Sequence, residues 1–287
     1  MLGIIFAIIA SVSFAFGYTI LKRSYSNFPP SVAFFIDVIF GLLLWIPFGL
    51  VSGVQLNHFS TVLIYALISA ILAEAFFFYV LSKGEISITG TILASYPIYT
   101  VLFSLFINNE RLSLVSWIFV ILTILGTIIV SSPSKINKKE LKDKNYILWA
   151  LAGALAVGLA DSLNKHIINQ TSAPTFIFGL ALAQIPVGIA YLVLEKQPIK
   201  QFRNIFTHLS KYQLSIYGAL LNIIGTLFLL LSFQYTLVSI AVPVGASYPG
   251  IMVILAVMWL KEKLATKDIV GLIIIILGVI GISFVVV

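Results

Sequence analysis

Three carboxylates, Asp37, Glu74 and Asp161, fall inside apolar stretches long enough to cross a bilayer. An acid in such a stretch costs roughly 2.5–3.5 kcal/mol on insertion scales, so it is retained for a function or neutralised by a partner. Asp37 and Glu74 have no basic residue within a helical turn and are read as coupling sites, for a proton or a cation. Asp161 has Lys165 four residues on, a spacing at which helical side chains meet. It is therefore either half of a structural ion pair, the expectation carried forward, or a counter-ion for a cationic substrate. Aromatic residues accompany the acids: Phe76, Phe77, Phe78 and Tyr79 follow Glu74, and Tyr18 lies deep in the first stretch. Aromatic faces around a carboxylate hold an organic ammonium by cation–π attraction, although only part of a run of four can point inward.

A second set of candidates comes from a repeated tetrapeptide. Ala-Ser-Tyr-Pro occurs at Ala94–Pro97 and again at Ala246–Pro249, 152 residues later (248 − 96). The same offset lays Ser87 on Ser239, Glu110 on Glu262, Leu112 on Leu264 and Gly126 on Gly278, so the chain is a duplication. A proline within a span removes a backbone donor and frees a carbonyl, which is tolerated in lipid only against protein or a water-lined cavity. Pro97 and Pro249 thus face the centre, and Ser95, Tyr96, Ser247 and Tyr248 either line a substrate site or merely accompany kinks that shape packing. Pro243 adds a kink to the second copy where the first has Thr91. Glu110 and Glu262, beside Arg111, Lys261 and Lys263, read as caps or interfacial ion pairs at span ends. Trp117, Trp149 and Trp259 read as headgroup anchors, while Trp45 lies deeper, lining the cavity or facing lipid.

The elements that carry these residues are membrane spans. Hydrophobic residues make up 60% of the chain and charged residues 9%, against roughly 45–50% and 25% in soluble domains, and mean hydropathy is +1.11. Runs of about 20 apolar residues fall at 2–21, 31–51, 61–81, 87–107, 113–131, 146–166, 174–194, 212–232, 239–260 and 268–287. The expectation is an all-α membrane protein of ten transmembrane helices in two five-helix repeats, 1–131 and 146–287, joined by a basic linker, 132–145. Five is odd, so the second repeat is inverted relative to the first. The first run has no charged leader or small-residue cleavage site and is read as a span. Gly153, Gly158, Gly218 and Gly225 are read as close-packing positions. Residues 195–211 form either an amphipathic surface helix or a solvated loop.

Other classes find little support. The chain has no cysteine, no H-E-x-x-H and no G-x-S-x-G, and His58, His166 and His208 all lie near loops. No catalytic residue, metal site or cofactor is expected, and without a glycine-rich phosphate loop the chain alone is no ATP-driven pump. Its net charge of +7 sits in short loops without a basic face, so no nucleic-acid partner is expected. Fifteen of the lysines and arginines follow odd-numbered spans, with Arg111 and Lys165 the exceptions. That distribution puts the odd-numbered loops in the cytoplasm and the termini outside.

With two five-span halves, a Tyr-Pro pair in span four of each, an acid just beyond it (Glu110, Glu262) and glycines in the fifth spans (Gly126, Gly278), the chain resembles the EamA-type branch of the drug/metabolite transporter superfamily. The resemblance covers essentially the whole chain. It implies a central cavity between the repeats, alternating access and cytoplasmic termini, the reverse of the charge count. It is silent on cargo, since that group carries amino acids, organic cations, sugars and nucleobases. The expected function is secondary transport of a small polar metabolite, an amino acid or a relative, with proton coupling; an organic-cation carrier is the alternative. The expected partners are that small molecule and the lipid bilayer, with the chain a monomer or homodimer in the cytoplasmic (inner) membrane.

Overall fold

The computed structural model describes residues 1–24, 29–83, 92–132, 144–197, 209–260 and 265–285. Those residues are helical, joined by short turns. The first half holds α1 (Leu2–Ser24), α2 (Pro30–Ser52), α3 (Phe59–Ser69), a π-helical turn (Ala70–Ala75), α4 (Phe76–Lys83), α5 (Tyr96–Ile107) and α6 (Leu114–Ser131). The second holds α7 (Lys144–Gln170), α8 (Ala173–Leu194), α9 (Leu209–Tyr235), α10 (Val238–Gly245), α11 (Tyr248–Leu260) and α12 (Thr266–Val285). Nine stretches among the described residues are long and apolar enough to span a bilayer, and α5 is a shorter apolar helix. Ser87, Thr91, Glu262 and most of the linker and of the 195–211 loop lie outside the described residues.

The helix pairings follow the duplication. In each half the first helix packs into the third and fourth spans of the other half. Thus α1 lies on α9, α10 and α11, while α7 lies on α3, α4 and α5. Equivalent helices pair with each other, α2 with α8 and α6 with α12. Lipid tails provide no hydrophobic drive between helices, so close backbone approach and buried polar contacts hold such a bundle. Gly158 shows the first. A Cβ there would sit 2.7 Å from the Thr100 backbone nitrogen, so only glycine lets α7 lie this close to α5. Lipid takes the other faces, as in α12, where Ile269, Ile273, Ile276, Ile280 and Phe284 are exposed while Gly271, Ile275, Gly278 and Ile282 are buried.

Trp45 is fully buried and its Nε1 donates to the Ile223 carbonyl at 3.2 Å, tying α2 to α9. It neither lines the cavity nor faces lipid, because an indole N–H inside the bundle is held by a backbone acceptor. The Tyr-Pro segments also differ from a kinked helix. The fourth and ninth spans are broken at Ala94-Ser95 and Ala246-Ser247, and new helices start at Tyr96 and Tyr248. Each proline therefore sits in a first turn, where its missing N–H costs nothing.

Candidate functional site

A cavity of about 100 Å³ lies at the centre of the bundle, lined from the first four spans of each half and from neither α6 nor α12. Asp37, Glu74 and Asp161 all reach it. No lysine, arginine or histidine is among its lining residues. The three acids arrive by different local devices. Asp37 stands one turn beyond Phe34 on α2, and both line the cavity. Glu74 belongs to the π-helical turn, whose wider winding re-aims side chains and recurs at functional sites. Asp161 stands one turn beyond Val157 on the α7 face that Gly158 brings against α5.

Each acid is met by a neutral partner from the other half. Asn222 Nδ2 donates to Asp37 Oδ2 at 2.7 Å. Gln184 Nε2 donates to Glu74 Oε2. Thr100 Oγ1 donates to Asp161 Oδ2 at 3.4 Å, a long bond that holds the carboxylate loosely. Asn164 Nδ2 donates to Ser69 Oγ at 3.0 Å on the same wall. After these bonds, Asp37 Oδ1, Asn222 Oδ1, Gln184 Oε1 and Asn164 Oδ1 are buried acceptors without a partner. The cavity is thus acidic, and four buried acceptors among its lining residues are left unpaired.

The expected Asp161–Lys165 ion pair does not form. Lys165 is buried, but its Nζ donates to the carbonyls of Phe233 and, at 3.0 Å, Thr236. It closes the C-terminal end of α9, where a cation meets the negative end of the helix dipole. Asp161 remains with Thr100, facing the cavity.

Aromatic rings cover the adjoining wall. Tyr18 and Tyr248 have ring centroids 5.1 Å apart, Phe14 stacks on Tyr18 at 5.7 Å, and Phe77 lies 6.3 Å from Tyr18. Tyr96 completes the lining beside them. Of the run after Glu74, Phe77 and Phe78 line the cavity. Tyr79 instead stacks on Phe76 at 6.2 Å and meets Trp149 edge-on at 5.6 Å, outside the cavity lining.

Ser95 and Ser247 do not line the cavity either. Ser95 Oγ donates to the Ile92 carbonyl at 2.6 Å and Ser247 Oγ to the Val244 carbonyl at 2.7 Å, the same bond in both halves. Each serine covers a carbonyl at the helix break, and Ser247 also meets Ser11 Oγ at 3.2 Å. The repeated tetrapeptide thus divides its work between a serine that closes the break and a tyrosine that faces the cavity. Glu110 is a cap, and it caps the other half: its carboxylate accepts from the backbone N–H groups of Val238 at 2.8 Å and Ser239 at 3.0 Å, at the start of α10.

Sequence reasoning missed the amides. Asn164, Gln184 and Asn222 sit in apolar stretches where an uncharged polar side chain is also costly, and applying the argument used for the carboxylates would have found them.

The molecule is an integral, multi-pass membrane protein, built from two repeats around a central cavity lined by three acids. The chain belongs to the EamA-like transporter family, whose model matches it twice, at residues 1–132 and 144–284. It is thus a membrane transporter of the drug/metabolite superfamily. A solved crystal structure, at 16% identity, superposes with a TM-score of 0.74 over 99% of this chain and 96% of its own, a likeness of fold. No curated protein matches the sequence.

Proposed function

We propose that this transporter carries a small organic cation, an amine protonated at neutral pH, by alternating access and in exchange for protons. One observation carries the reading: three carboxylates line the central cavity and no basic side chain lines it. A cation entering there supplies charge to the three acids and donors to the unpaired acceptor oxygens, whereas an anion meets three acids and no basic side chain. Protons and the amine compete for the same carboxylates, which is the simplest basis for exchange. Because each half contributes one wall, rocking the halves about the cavity would expose it alternately to the two sides.

An amino acid or similar polar metabolite is the second reading, and one feature favours it. The helices α5 and α11 both begin at the cavity, and the N-terminal end of a broken helix attracts a carboxylate. The donors available there are few. Proline has no N–H, and the amides of Ile98 and Gly250 already donate to the carbonyls of Ser95 and Ser247. The three acids outweigh what remains. The discriminating experiment is flux in proteoliposomes, with a panel of organic amines and a panel of zwitterionic amino acids offered against an outward proton gradient. Saturable uptake confined to the amines is expected; uptake confined to amino acids would overturn the reading.

A further inference from the structure

The two acid–amide pairs have a geometry that restricts which cations fit. Asp37 with Asn222 joins the second span to the eighth, and Glu74 with Gln184 joins the third to the seventh. These are equivalent contacts under the duplication, so the cavity holds two similar pairs, with both acids in the first half and both amides in the second. An ionised carboxylate only accepts hydrogen bonds, so each amide must turn its NH₂ toward the acid. Its oxygen is then left without a protein donor, as found for Asn222 Oδ1 and Gln184 Oε1, alongside Asp37 Oδ1. Asn222 is 8% exposed, and Gln184 and Asp37 are 1% and 3% exposed, so bulk water does not reach these groups freely.

Resting on the cation reading above, we infer that these two pairs form the head-group site and that it selects cations bearing at least two N–H donors, primary ammonium or guanidinium, over fully alkylated ones. Buried acceptors of this kind call for a donor from ordered water or from a ligand, so a ligand that takes the place of such water must bring donors of its own. A primary ammonium carries three N–H groups and a guanidinium a planar fork of five. A quaternary ammonium has the charge but no N–H, and would strand every one of those acceptors. The cluster of Phe14, Tyr18, Phe77 and Tyr248 then takes the organic body of the ligand, not its charge.

The test is binding of matched amine pairs to the full-length protein in nanodiscs, by calorimetry: methyl-, butyl- and phenethylammonium, each against its N,N,N-trimethyl analogue. Sites built to hydrogen-bond a ligand reject analogues without the donors strongly, so the primary member is expected to bind about tenfold or more tightly. Gln184→Met and Asn222→Leu, which remove acceptors that a trimethyl head would strand, are each expected to shrink that ratio. Two variants are used so that a folding failure in one leaves the other to report. Equal or tighter binding of the trimethyl members would overturn the inference and assign the charge to the aromatic cluster, with the cation reading intact. Binding of none of the amines, together with binding of zwitterionic amino acids, would overturn both.

Discussion

Asp161 and Lys165 show how far residue spacing reaches. Four residues apart on one helix, they read as a pair, yet each finds a partner on a different helix, and only Asp161 faces the cavity. Their variants should therefore part company. Asp161→Asn is expected to weaken amine binding with little change in melting temperature. Lys165→Gln is expected to lower stability by about 1.5–3 kcal/mol, the range for hydrogen bonds to a charged group, with affinity retained in the folded protein. Thermal unfolding and ligand titration on both variants would check this, and equal destabilisation would restore the ion pair. The tyrosines give a second expectation: Tyr96→Ala and Tyr248→Ala should each weaken binding while remaining recoverable in detergent, and wild-type affinity in both would remove them from the site. The acids were legible because a charge in an apolar run stands out. Tyr79, Ser95 and Ser247 were expected beside the acids and lie outside the cavity lining, because sequence gives the segment and not the direction of a side chain within it.

At the scale of elements, the broken spans bring Tyr96 and Tyr248 to the cavity, and the corner between α9 and α10 ties the two halves together. The duplication announced where the breaks fall, but not that the helix stops and restarts there. That outcome depends on serine hydroxyls taking the exposed carbonyls, a local bond with no period in the sequence. The α9–α10 corner is held from both sides, by the Lys165 cation at the end of α9 and the Glu110 carboxylate at the start of α10. Glu110 is buried, and removing it leaves backbone donors unpaired away from water. Glu110→Ala is expected to destabilise the protein by about 2 kcal/mol or more. Glu110→Gln, which can still accept through its amide oxygen, should recover part of that loss in thermal unfolding. A wild-type melting temperature for Glu110→Ala would contradict the cap.

Across the whole molecule, the described spans divide into the eight that contribute to the cavity wall and the α6–α12 pair beside them. Composition and repeat length made the bundle legible; the exchange of partners between halves was not, because no sequence pattern names a neighbour. The α6–α12 contact is tight. A Cβ on Gly126 would fall 2.9 Å from the Gly271 carbonyl, so Gly126→Leu must push backbones apart. Overpacking of this kind costs about 1–3 kcal/mol, and the variant is expected to lose stability while its folded fraction keeps wild-type affinity for amines, since neither helix lines the cavity.

The central claim is that amine and protons share the cavity carboxylates, and proton movement tests it most directly. In proteoliposomes loaded with a pH-sensitive dye and clamped at zero membrane potential, adding phenethylammonium outside should drive protons out in step with amine entry. Glu74→Gln and Asp37→Asn, each lacking one shared carboxylate, should weaken amine entry and the proton movement that accompanies it together. Saturable amine entry by the wild type with no accompanying proton flux would contradict the account.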